Sequence, residues 1–230
     1  MPFLNKYRKA VTFSFDDGNF DDIRLVSVMN KYGIKSTFNL CSSMLADTVT
    51  WNYTPEKEVG HFNYSECPNL FDGHEVASHT VRHRALEELS PAAVHDEIEL
   101  DRIFLKALYG YDIVGMAFPY GSYGEKVTGF LKNSDILYCR TTRDTNGFRF
   151  PESLPILDPT CHFMAGNLNE LADEFLADDS DEDLLFYIWG HSYELVTEED
   201  WEIFENFCKK ISGKDDIYYC TNKEAILNHN

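Results

Sequence analysis

The sequence has no apolar run near the roughly 18 residues that a membrane-spanning helix requires. Even the nearly continuous stretch Leu184–Gly190 stops after seven residues. There is no C-x-x-C pair among Cys41, Cys67, Cys139, Cys161, Cys208 and Cys220, so ribbon-type zinc sites and thioredoxin-like redox motifs are excluded. A chain of 230 residues can bury a full core without disulfide staples, and these cysteines read as buried thiols in a reducing compartment. Cations are scarce, with 20 Lys+Arg against 39 Asp+Glu and a net charge of −19. That balance disfavours nucleic acid and anionic membranes as partners. Ordinary usage of Gly and Pro, without repeats or a Pro/Gly/Ser-rich linker, leaves a single domain spanning 1–230. The opening stretch to Lys9 is basic but carries no apolar h-region, so a cytoplasmic protein is expected.

What is present alternates between strand and helix patterns. Ala10–Phe15 is β-branched and aromatic and runs into Asp16-Asp17-Gly18. A helical period follows over Asp22–Tyr32, with Ile23, Val26 and Met29 on one face and Gly33 as its stop. Ser36–Leu40 is a second strand. Residues 41–72 are irregular and rich in aromatics (Trp51, Tyr53, Phe62, Tyr64, Phe71), which reads as an insertion over a rim. Further strands are expected at Glu75–Ala77, Val114–Ala117, Ile136–Arg140, Leu185–Trp189 and Ile217–Cys220. Helices are expected from Ser90-Pro91 to Gly110, over Leu168–Leu176, from Thr197 (with Asp200 as its capping-box partner) to Ile211, and over Lys223–Leu227. This order implies a parallel α/β architecture, barrel or open sheet. Both place chemistry at the C-terminal ends of strands, where Asp16, His79, Pro119-Tyr120, Arg140 and His191 all fall.

Asp16 and Asp17 are adjacent, so on a regular strand they would point to opposite faces. Both reach one site only if the chain turns, for which Gly18 supplies freedom; a plain solvated Asp-Gly turn is the alternative. His79 and His83 have the spacing that puts two imidazoles on one side of a helical turn, close enough to share a tetrahedral ion. Three protein ligands with one open position make a catalytic metal site, and Asp17 is the natural third, leaving Asp16 free as a base. His191, after its apolar run, is either a structural histidine or a general acid. The seven acids between Asp173 and Asp183 lack the EF-hand glycine pattern and read as a solvated helix end and loop.

Phe13-Ser14-Phe15-Asp16-Asp17-Gly18 resembles the T-F-D-D-G motif of the polysaccharide deacetylases, carbohydrate esterase family four with its NodB-homology domain. Ser78-His79-Thr80-Val81-Arg82-His83 matches that family's H-[ST]-x-x-H. Phe118-Pro119-Tyr120-Gly121 resembles its P-Y-G motif, and Ile188-Trp189-Gly190-His191 its late strand-ending histidine. The motifs occur in family order. The resemblance implies a distorted (β/α) barrel, usually of seven strands, here with loop insertions. It implies that Asp17, His79 and His83 hold one divalent metal, commonly zinc, with cobalt or nickel also used. It further implies Asp16 as base toward the attacking water, the backbone N–H of Tyr120 as an oxyanion donor, and His191 as the acid protonating the departing sugar amine. The substrate would be an acetylated oligosaccharide or polysaccharide, N- or O-acetylated.

The sequence departs from the family in one respect that bears on chemistry. Members carry an arginine two residues before the P-Y-G proline, paired with the base aspartate, and this position is Ala117. Arg140 is the expected replacement, with Arg143 in reserve. The family's D-x-x-D-W-type motif is absent, so Asp158 is expected to orient His191, with His162 lining or underlying the pocket. The competing readings are a metal-dependent amidase for a small non-sugar substrate and a decayed carbohydrate-binding relative.

Overall fold

The computed structural model describes residues 6–46, 50–65, 69–151 and 154–229; Cys67 lies outside them. Strand β1 (Lys9–Asp17) leads to helix α1 (Asp22–Lys31) and strand β2 (Ser36–Leu40), and a hairpin of β3 (Trp51–Thr54) and β4 (Lys57–Val59) follows. Next come β5 (Glu75–Ser78), α2 (Pro91–Tyr109), β6 (Gly115–Ala117), α3 (Glu125–Leu131), β7 (Tyr138–Arg140), β8 (Ile156–Leu157) and β9 (Cys161–His162). The chain ends with α4 (Leu168–Ala177), β10 (Leu184–Gly190), α5 (Glu198–Ile211), β11 (Ile217–Tyr219) and α6 (Asn222–Leu227).

The main sheet runs β8-β7-β6-β5-β2-β1-β10-β9, with β11 added to β1, and every pairing in it is parallel. It curls into a half-barrel, the distorted (β/α) barrel expected. Among the described residues it has nine strands rather than seven, the two-residue segments β8 and β9 adding to the longer seven.

The period of two along β1 builds two layers. Val11, Phe13 and Phe15 face outward into the largest core, where Phe13 and Phe15 meet Phe204 of α5 at 6.5 and 6.2 Å between ring centroids. The alternate residues line an interior that is partly polar. There Thr12 Oγ1 donates to Asn222 Oδ1 (2.8 Å), and Ser14 Oγ accepts from Asn39 Nδ2 (2.8 Å), Asn222 Nδ2 (3.1 Å) and Arg140 Nε (3.2 Å). Lower down, Glu75 accepts from Thr37 Oγ1, Tyr138 Oη and the Lys223 N–H at 2.7–2.9 Å. Tyr138 also explains Gly115, where a Cβ would lie 2.1 Å from its Oη. Gly115→Ala is therefore expected to cost about 1–3 kcal/mol by overpacking, read as a lower denaturation midpoint in urea.

Capping matched the sequence signals: Ser90 accepts from Ala93 N–H at the start of α2, Gly110 ends it at φ 77°, and Thr197 and Asp200 form a reciprocal box on α5. Three expectations need correction. Ile23 is 54% exposed, and the buried face of α1 runs through Asp22, Leu25, Val26, Val28 and Met29 instead. The His79–His83 segment is an irregular loop, not a helical turn, with positive φ at Thr80 and His83. The insertion divides: Phe62 and Phe71 are core residues, whereas Trp51 and Tyr53 remain exposed on their hairpin. All five described cysteines are buried free thiols. No helix among the described residues is long and apolar enough to cross a membrane.

Candidate active site

The C-terminal ends of β1, β5, β6, β7 and β10 bring the expected residues into one cleft. The turn that the adjacent acids require occurs at Asp17 itself (φ 79°) and continues through Gly18 (φ 70°). His61, from the insertion, pins that turn by donating Nδ1–H to Gly18 O at 2.8 Å.

Asp17 Oδ1 then lies 3.6 Å from His79 Nε2 and 3.5 Å from His83 Nε2. Donors around a tetrahedral zinc with bonds of 2.0–2.2 Å stand roughly 3.3–3.6 Å apart. The oxygen is buried and, among the described residues, has no hydrogen-bond partner, a costly state unless a cation completes it. His79 donates Nδ1–H to Ala117 O at 2.8 Å, which fixes the tautomer and leaves Nε2 as a lone-pair donor. Burial, reinforced by neighbouring His79 and opposed by Asp17, lowers His83 to about 4. It is thus neutral, as a metal ligand must be. The residues present fit a divalent ion.

The loop carrying the two histidines is held from below by acids of α2. Glu97 accepts from Arg82 N–H at 2.8 Å, while Asp101 accepts from Ser42 N–H (2.7 Å) and Ser78 Oγ (2.6 Å). This anchoring replaces the helix that the spacing suggested.

Asp16 is 2% exposed. Its Oδ1 accepts from Asn39 Nδ2 at 2.8 Å, and its Oδ2 is ion-paired with Arg140 Nη2. Burial alone would raise the Asp16 carboxyl; the Arg140 guanidinium, with His79 and His191 behind it, outweighs burial and holds it well below the usual carboxylate range. Arg140 is fully buried, and Ser14, the Thr141 carbonyl and the Trp189 ring fix it further. Ala117 pairs in register with Arg140, so the guanidinium stands one strand over from the slot that lacks it.

His191 Nε2 faces the cleft, 3.9 Å from Asp16 Oδ2 and 4.0 Å from Asp17 Oδ2. Asp158 does not approach it. That carboxylate accepts from Thr141 Oγ1 (2.5 Å) and Arg143 Nε (2.9 Å), which leaves Arg143 outside the site as well. The acid beside His191 is Glu194, 3.4 Å from Nδ1 and 3.0 Å from His162 Nε2. Burial pushes Glu194 up, but His162 and His191 outweigh it and bring it to about 2. Its three-residue spacing from His191 reads in the sequence as an ordinary turn. Burial lowers His191, yet Glu194 and then Asp17 and Asp16 carry it up to about 9.

Tyr120 sits at φ 57° and is 70% exposed, its ring 4.5 Å from that of His83. Tyr193 stacks on His191 (5.0 Å, 28°) and meets Trp51 at 5.2 Å and Tyr53 at 5.1 Å.

A curled parallel barrel with acids and imidazoles gathered at its strand ends is the architecture of the carbohydrate deacetylases. A sequence model described as polysaccharide deacetylase matches residues 4–139, and the chain belongs to that family. The fold is similar to the peptidoglycan deacetylase PdaC from Bacillus subtilis, with TM-score 0.59 and 14% identity over 97% of this chain and 92% of that one. It is likewise similar to the chitin deacetylase of the fungal pathogen Colletotrichum lindemuthianum, with TM-score 0.59 and 18% identity over 96% and 89%. A third likeness is the Xyl-CE4 domain of a multidomain xylanase from the hindgut metagenome of Trinervitermes trinervoides, with TM-score 0.57 and 16% identity over 94% and 88%. No curated protein matches the chain in sequence.

Proposed function

We propose that the protein is a divalent-metal-dependent hydrolase that removes acetyl groups from an N-acetylated, or O-acetylated, carbohydrate. The observation that carries the reading is the buried, unpartnered Asp17 Oδ1 flanked by two imidazole nitrogens at 3.5 and 3.6 Å, beside a second carboxylate that is ion-paired.

Asp17, His79 and His83 would hold one ion, with zinc favoured by the mixed imidazole and carboxylate donors and cobalt or nickel compatible with them. When bound, such an ion supplies Lewis acidity, polarising an acyl oxygen and making water nucleophilic near neutral pH. Asp16, kept ionised by Arg140, takes the proton of the attacking water. The Tyr120 N–H donates to the oxyanion. His191 delivers a proton from Nε2 to the departing amine, which leaves poorly without one.

Metal analysis of the purified protein is expected to find one divalent ion per chain. Acetate release should vanish on chelation and return with added Zn²⁺. A protein that binds no ion and releases no acetate would instead fit the decayed carbohydrate-binding relative. Assays on chito-oligosaccharides, acetylxylan and simple N-acyl compounds fix the substrate class; activity confined to the last would assign the site to a small amide.

A further inference from the structure

A large aromatic ring left in water beside a reaction cleft forgoes the burial free energy that a core position would give it. Trp51 and Tyr53 are two such rings, each 41% exposed. They lie on the β3–β4 hairpin, which forms a two-stranded sheet of its own.

A lone hairpin is marginal in water, so what holds this one decides whether its rings are placed or free. Lys57 Nζ stands 2.7 Å from Asp21 Oδ2 in an ion pair largely shielded from solvent. The Phe20 N–H donates to Gly60 O at 3.0 Å, and the Phe20 ring meets core residue Phe62 edge to face at 5.8 Å. Gly60 is required at this junction, because a Cβ there would lie 2.9 Å from Cε2 of Phe20. Phe20 and Asp21 follow directly on the turn through Asp17 and Gly18. The hairpin is thus clamped to the same turn that presents the candidate metal ligand.

Ring contacts tie it to the acid side of the cleft. Trp51 meets Tyr193 at 5.2 Å and Tyr53 meets it at 5.1 Å, while Trp51 and Tyr53 meet each other at 6.2 Å with their planes at 87°. The β3–β4 register shifts between Asn52 and Thr54, an irregularity of the kind that re-aims a side chain. Tyr193, only 8% exposed, stacks in turn on His191 at 5.0 Å. The contacts run outward from His191 through Tyr193 to two exposed rings, so those rings stand a step beyond the group that reacts.

An open corner of this kind does not enclose a wholly apolar ligand, which binds where most of its surface is buried. A pyranose with equatorial substituents fits it. Its flat C–H face lies on an aromatic ring, and its rim of hydroxyls stays in water beside the polar tips of Trp and Tyr.

We propose that Trp51 and Tyr53, seated on Tyr193, bind the sugar ring adjoining the one that loses its acetyl group, so that the protein selects glycan chains over single sugars. The inference rests on the reading of the cleft as a deacetylase.

Two measurements on the zinc-loaded protein test it. Titration with triacetylchitotriose and with acetylated xylotriose is expected to shift the Trp51 indole N–H resonance, assigned by its loss in Trp51→Phe, for at least one trimer and far less for its monosaccharide. In kinetics, Trp51→Ala should lower the trimer-to-monomer ratio of kcat/KM roughly 10-fold. The loss should fall mainly on the KM of the trimer, as removal of binding common to ground and transition states does. Trp51→Phe, which keeps a ring, should recover part of the ratio. An unchanged ratio in Trp51→Ala, whether both substrates fall together or neither falls, overturns the proposal and leaves Trp51 a residue of hairpin packing. An indole shift without acetate release would keep the sugar platform and remove the reaction. Acetate release without a shift would do the reverse, and the absence of both would remove both.

Discussion

Asp16→Asn is expected to lower acetate release by roughly 10²–10⁴-fold while the metal content stays at one ion per chain. The amide keeps the shape of the side chain and the contact with Asn39, which donates to Oδ1 at 2.8 Å. It cannot accept a proton from water. Asp16 Oδ2 is 3.9 Å from His79 Nε2 and ion-paired with Arg140, whereas Asp17 offers the bare oxygen between the two histidines. Loss of the ion together with activity would make Asp16 a ligand. Full activity would remove it from proton transfer altogether.

Arg140→Ala is expected to do damage of two kinds. Removing one partner of a buried ion pair leaves an uncompensated charge and costs about 3–5 kcal/mol, measurable as a lower denaturation midpoint at pH 7. The second effect is on the pH profile. In the wild type the folded pKa of Asp16 lies below its unfolded value, so the stabilisation is present above the unfolded pKa and lost as pH falls through the folded one. Without the guanidinium, burial dominates and the carboxyl pKa rises. The acidic limb of kcat/KM should move to higher pH. Arg140→Lys, which restores charge without the planar fork, is expected to recover part of both. An Arg140→Ala protein with wild-type stability and an unmoved limb would leave Asp16 compensated by another group.

Much of this fold was legible because local chemistry and tertiary structure agreed. The β-branched and aromatic run of β1, the Ser90-Pro91 and Thr197 caps, and Gly110 each specify a backbone state whatever surrounds them. The short strands β8 and β9 exist because neighbours offer hydrogen bonds at their edges, which no propensity scale records. The spacing of His79 and His83 anticipated that the two rings would lie close together, but not how. A loop with two positive-φ residues, tied down by Glu97 and Asp101, brings them to 4.8 Å where a helical turn was expected. Glu194 was missed because a carboxylate three residues after a histidine looks like an ordinary turn, and only the fold reveals what faces Nδ1.

The register between Ala117 and Arg140 bears on how relatives of this protein are recognised. Charge compensation inside a curled sheet belongs to a height along the barrel axis, and any strand reaching that height can furnish it. A search that demands arginine at a fixed distance ahead of the P-Y-G proline would discard this chain as defective. A search by tier would keep it, because Arg140 stands in register with Ala117 and its guanidinium reaches Asp16 from the neighbouring strand.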